Sequence, residues 1–103
     1  MQFIVLSADS CPLLCLAPDA VALHLKKLAR RFRNEIEQPK SPFLRKAKDA
    51  SGKEYAIICF DEMDFIDWLN RKKETKEAKV IPFAQSVDLN LPPEWQGYPQ
   101  INF

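Results

Sequence analysis

Apolar positions open the chain in one unbroken block. "MQFIVLS" is rich in β-branched and aromatic residues and predicts a buried strand. "ADSCPLLCLA" follows with Pro12 inside it and is expected to form a loop. From Pro18 to Glu37 the period changes. Val21, Leu25, Leu28, Phe32 and Ile36 recur at spacings of four, three, four and four, the stripe of a helix buried along one side. Pro18 and Asp19 suit its first turn, one by its fixed φ and the other by its charge near the positive end of the helix dipole. Pro39 and Pro42 cannot continue it.

The next pattern has a period of two. "FLRKAK", the turn "DASG" and "KEYAIICF" predict a hairpin closed by a left-handed Gly52. Tyr55, Ile57 and Cys59 alternate with Ala56, Ile58 and Phe60, so both faces of the second strand are apolar and a central place in a sheet is expected. Asp61 then caps a second helix, with Glu62 and Asp64 in its first turn. Phe65, Ile66 and Leu69 should face the core, with Met63 and Trp68 on the flanks. Between Asn70 and Lys79 only Ala78 is apolar, so this stretch should project into solvent or fray. "VIPF" at 80–83 predicts an edge strand, where Pro82 is tolerable, and "SVDLNL" a further strand. The order β-α-β-β-α predicts an α+β fold. Its small antiparallel or mixed sheet, built from the N-terminal strand and the central hairpin, would pack with two helices.

Residues 1–83 are thus expected as a single domain and residues 84–103 as an extended tail. In that tail Leu89, Pro92, Trp95, Tyr98 and Ile101 recur every three residues, the repeat of a polyproline II ribbon. Together with Phe103 they can bury against the chain's own body, a second copy, or a protein partner. Burial and the entropy of ordering nearly cancel, so a partner surface can compete for the tail. Trp95 is its largest apolar anchor.

Charge changes the picture in one place. The 103 residues carry a formal net charge of only +1, so no bulk field draws the chain to nucleic acid or membrane. Yet from His24 to Lys48 nine Lys and Arg stand against Glu35 and Glu37, which leaves the remainder acidic. Lys26, Lys27, Arg30 and Arg33 fall on the helix face opposite the apolar stripe, with Leu23 among them. Arg45, Lys46 and Lys48 lie on the first hairpin strand. If helix and hairpin pack side by side, these seven can form one patch for phosphates or an acidic protein surface.

Catalytic and metal chemistry find little to build on. With two glycines in the chain, neither a phosphate-binding loop nor a dinucleotide-binding turn can be made. His24 with Cys11, Cys15 and Cys59 supplies four soft ligands, but their spacing matches no zinc signature, and nothing local sets a cysteine beside the histidine as a nucleophile. Asp61, Glu62, Asp64 and Asp67 are accounted for by helix capping and the dipole. No catalytic residue, metal or cofactor is expected. No apolar run approaches the roughly 20 residues of a membrane span. No Lys or Arg precedes the opening apolar block, and the three cysteines cannot all pair with one another. The expectation is a cytoplasmic, non-enzymatic protein with no membrane association.

The stretch "FLRKAKDASGKEYAIICFDEMDFIDWL", residues 43–69, resembles in pattern the hairpin-plus-helix of small bacterial antitoxins of the prevent-host-death type. That resemblance implies a dimer on DNA that holds a toxin with an extended C-terminal tail. It carries no specific motif, leaves the first helix and the aromatic tail outside it, and assigns no family. From the residues themselves the expected function is an interaction or regulatory protein that binds a protein partner through Leu23, Trp68, Trp95, Tyr98, Ile101 and Phe103. The alternative is a nucleic-acid-binding regulator that uses the basic segment 26–48. A homodimer is compatible with either.

Overall fold

A computed structural model describes residues 1–8 and 11–103 of the chain. The opening block forms strand β1 (Gln2–Ser7), and its interior residues Ile4, Val5 and Leu6 are buried on both faces of a four-stranded sheet. Beside it runs β2 (Leu13–Ala17), antiparallel, with Ile4 opposite Cys15 and Val5 opposite Leu14. The second half of the stretch expected to be a loop is therefore a strand, and Asp9 and Ser10 in its first half lie outside the described residues. Pro12 only precedes it, and "LLCLA" is a continuous apolar run because both of its faces are covered.

The long apolar stripe is split between α1 (Asp19–Leu23) and α2 (Leu25–Ile36), with the break at His24. Val21, Leu25, Leu28, Phe32 and Ile36 are nonetheless all buried, as their spacing requires. No proline or glycine lies at the break, where His24 takes φ −110° and ψ 23°. Leu23, off the stripe, is 79% exposed.

Next come β3 (Leu44–Lys48) and β4 (Glu54–Ile58), joined by a turn in which Gly52 takes φ +85°. Asp49 Oδ1 accepts from the backbone N–H groups of Ser51 and Lys53 at 2.9 and 3.0 Å and so holds the turn closed. The hairpin is as read, but its place is not. Among the described residues it pairs with no other strand, and Tyr55, Ala56 and Ile57 are exposed. The central positions belong to β1 and β2, neither of which carries a charge. The hairpin carries Arg45, Lys46 and Lys48 on one strand, which no buried position could accept. Only its root reaches the core, through Phe43, Ile58 and Phe60.

Asp61 starts α3 (Glu62–Leu69) with a reciprocal capping box. Asp64 N–H donates to Asp61 Oδ1 and Asp61 N–H to Asp64 Oδ2, both at 2.9 Å. The stretch 70–79 does not project. It folds back through a short 3₁₀ turn at Lys73–Thr75, and the buried Thr75 hydroxyl donates to the Leu69 carbonyl at 2.7 Å. The Asn70 side chain then brackets Val80, accepting from its N–H at 2.8 Å and donating to its carbonyl at 3.1 Å. This returns the chain to the sheet as β5 (Ile81–Gln85), an edge strand antiparallel to β2, as the "VIPF" pattern requires.

"SVDLNL" is not a strand. Ser86 and Asp88 accept from the backbone N–H groups of Asp88 and Asn90, local bonds that compete with a ladder, and Val87 is 98% exposed. A 3₁₀ turn at Pro93–Trp95 then leads to β6 (Gln100–Asn102), which lies parallel to β1. The fold is thus α+β with a mixed sheet in the order β5-β2-β1-β6 and three helices. The helices cover one sheet face. Phe3, on the other face by strand alternation, meets Phe83 and Tyr98 at ring separations of 5.2 and 5.4 Å. Among the described residues no helix is long and apolar enough to cross a membrane.

Candidate functional site

β6 has β1 on one side and, among the described residues, no strand on the other. Its apolar residue, Ile101, points into the core beside α2, and Phe103 follows it into a ring cluster with Phe32, Phe60 and Phe65. The buried stripe of α2 therefore leans against β6, and its polar flank stands over the open side of the strand. Between them run two depressions. One, of about 440 Å³, lies between Leu23, His24, Lys26, Lys27 and Arg30 on the helical side and Pro99 and Gln100 on the other. The second, of about 350 Å³, shares Arg30 and continues past Arg33 to Ile101, Asn102 and Phe103. A third, of about 370 Å³, carries on from Arg33 and Phe103 to Ile57 and Phe60 at the hairpin root. Each depression shares wall residues with the next, Arg30 between the first two and Arg33 and Phe103 between the last two, so they make one groove that runs past β6, and no Asp or Glu among the described residues lines it.

The cations on this wall are not equivalent. Arg33 is engaged already: it donates to Glu37 Oε1 at 2.9 and 3.2 Å and lies 5.1 Å from the Phe60 ring centre. Arg31 and Lys72, outside the groove, pair with Glu74 and Glu35. Lys26, Lys27 and Arg30 make no hydrogen bond or ion pair among the described residues. The hairpin cations do not join them. Arg45 folds onto its own backbone, donating to the carbonyls of Pro42 and Leu44, and Lys48 stands opposite Glu54. Neither these two nor Lys46 lines the groove.

The apolar residues expected on the surface also divide. Leu23 stands exposed at the groove's rim. Trp68 is 4% exposed, a correction with a clear cause. It lies between α2 and α3, its indole N–H donates to Glu35 Oε2 at 2.9 Å, and Lys72 covers its face at 4.5 Å. With its one polar group satisfied, burial costs nothing in lost hydrogen bonding. Trp95 and Tyr98 are half-buried, and Ile101 and Phe103 pack on the core. Leu89 is exposed while Ile101 is not, so the three-residue repeat of the tail does not mark one surface. Sequence reasoning missed the backbone of Gln100 and Asn102, since only the polar-apolar-polar order of "QIN" hints at so short a strand.

The thiols sit in contrasting places: Cys59 is exposed, Cys11 partly so, and Cys15 is buried in β2 facing the helices. Among the described residues no three His, Cys, Asp or Glu side chains gather as a metal site. Burial, with the nearby charge of Glu62, pushes the Cys15 thiol up to about 12. An unfolded thiol ionises near ~8.5, so stability is unaffected below that pH and falls as pH climbs toward the folded value, by about 1.4 kcal/mol per unit. Between about pH 9 and 10.5 the parent should lose roughly 2 kcal/mol more than Cys15→Ala, as urea unfolding will show. Parallel losses in the two proteins would refute a buried thiol. At pH 8 a thiol reagent should modify Cys59 readily and leave Cys15 untouched in the folded state.

Comparison with known proteins adds nothing to the geometry: no family model, no curated protein and no solved structure matches this chain, and the antitoxin likeness of residues 43–69 gains no support.

Proposed function

We propose that the chain is a protein-interaction module that acts by binding, without turnover, and holds its partner in the groove beside β6. One observation carries the reading. Three cations without counter-ions among the described residues, Lys26, Lys27 and Arg30, line a depression that also shows the exposed Leu23 and the free side of a sheet edge. A solvated helix face needs no such surroundings. Charge with an apolar contact and backbone to pair with is the make-up of a protein-binding surface.

The test is photo-crosslinking in cells, with a photoreactive residue at Leu23 and a control at Ala50 on the hairpin tip. The position of Leu23 should give an adduct that survives nuclease and is destroyed by protease, and Arg30→Glu should abolish it. Equal adducts at both positions would refute the groove.

The same three cations favour a second reading, nucleic-acid binding. Three phosphates neutralised would set the slope of log affinity against log salt near about −2.7 on duplex DNA. A nuclease-sensitive adduct at Leu23 with that slope would replace the first reading by the second.

A further inference from the structure

We infer that the groove takes an acidic, extended segment of a protein partner as an added strand on β6. The inference rests on the groove being a protein-binding surface and states what the partner must offer.

Two bonds set the phase of β6. Val5 N–H donates to the Pro99 carbonyl at 2.9 Å, and Phe103 N–H to the Ser7 carbonyl at 2.8 Å. In a parallel pair alternate residues bond to a given neighbour, so Gln100 and Asn102 turn their N–H and C=O groups away from β1. No described residue bonds them there. The far edge of the sheet is blunted, since β5 carries Pro82 and its pairing with β2 is broken by a bulge. β6 has neither device.

The wall above this edge selects the occupant. Lys26, Lys27 and Arg30 project beside it, and nothing acidic among the described residues lines the groove. In an added strand alternate side chains turn toward α2, and acids there meet the three cations. From Leu23 to Arg33 the helical wall runs about 15 Å, which roughly five extended residues cover. A phosphate chain could meet the cations, but it brings no donors for the outward carbonyls of Gln100 and Asn102. A second copy pairing β6 to β6 about a two-fold axis would set two like-charged walls side by side.

The probe is a fluorescent peptide of about seven residues alternating valine and glutamate, titrated with the full chain at low salt. Two further versions carry N-methyl groups on one or the other alternate set of amides, and another replaces glutamate by lysine. A strand uses one edge, so one N-methylated peptide should lose affinity by roughly tenfold or more while the other keeps it. The lysine peptide should not bind. Arg30→Glu should weaken the parent peptide by roughly tenfold, and the amide resonances of Gln100 and Asn102 should shift on binding. Equal affinity of both N-methylated peptides would reduce the site to a charge patch and overturn strand addition. So would tighter binding of duplex DNA at the same residues, or a dimer in sedimentation that excludes the peptide. If the Leu23 crosslink still yields a protein adduct while every peptide fails, strand addition falls and the protein-binding reading stands. If the crosslink fails as well, both fall.

Discussion

Phe32→Ala should cost about 4 kcal/mol of folding free energy, the largest loss expected from any single side chain in this molecule. The ring is fully buried, and Phe43, Phe60, Phe65, Trp68 and Phe103 surround it at centre separations of 5.2 to 6.3 Å. Those partners come from the hairpin root, from α3 and from the end of β6, so one side chain ties three parts of the fold to α2. Truncation leaves a cavity that rigid neighbours cannot fill, and a domain of this size has only about 5–15 kcal/mol in hand. Thermal melts should show the midpoint falling by roughly 16–32 °C. Phe32→Leu, which keeps most of the volume, should lose less than half as much. A loss below about 1.5 kcal/mol for alanine would mean that the cluster is loosely packed. The loss should reach function too, because the residue adjoins Arg33 and lies about one turn from Ala29, and both wall the groove. In Phe32→Ala, groove binding should weaken even at temperatures where the chain remains folded.

Where local chemistry decides the outcome, the sequence was legible. The helix stripe, the capping residue Asp61, the left-handed Gly52 and the edge strand at Pro82 each follow from constraints that neighbouring residues impose on one another. The α+β class follows from the same elements, whereas the sheet, read as antiparallel or mixed, is made mixed by the parallel pairing of β6 with β1. What could not be read locally was the competition between strands for the centre of the sheet. "EYAII" and "LLCLA" are both short apolar runs, and a run alone does not tell which is covered. The difference lies in the partner strands. β2 pairs with β1, which carries no charge, whereas β4 pairs with Leu44–Lys48, three of whose five residues are cations. Weighing each strand together with its neighbour would have placed the hairpin outside.

The site was half legible for a related reason. Lys26, Lys27, Arg30 and Leu23 were readable as one helix flank, because helical period alone puts them together. The strand they face was not, since the pairing of Gln100–Asn102 with β1 joins the two ends of the chain. Trp68 shows the opposite error: its flank position suggested exposure, but Glu35, 33 residues away, supplies the partner its indole needs. The divided charge of the chain gains meaning here. Glu74, Glu37 and Glu35 pair with Arg31, Arg33 and Lys72, and on the helical wall of the groove Lys26, Lys27 and Arg30 have no acidic partner among the described residues.

The tail supplies the last expected result, and its order of effects inverts the one that side-chain size suggests. Phe103→Ala should cost about 3 kcal/mol, and Trp95→Ala less than about 1 kcal/mol. Trp95 is the larger side chain, but it is half-buried in a 3₁₀ turn and takes no part in a ring pair. Phe103 meets Phe65 at 5.0 Å, Phe60 at 5.2 Å and Phe32 at 6.1 Å, and its N–H closes the ladder between β6 and β1. Without that ring the end of β6 has nothing to hold it down, and β1 becomes the edge of the sheet. Hydrogen exchange should therefore report more than the melts do. In Phe103→Ala the amides of Ile101 and Ser7, which face the partner strand, should lose protection, while those in the centre of α2 should lose only what the global stability loses. In Trp95→Ala both sets should keep it. If Trp95→Ala proves the more damaging variant, residues 93–95 are an anchor and β6 a passenger, and a strand held so loosely could not serve as the edge of a binding groove.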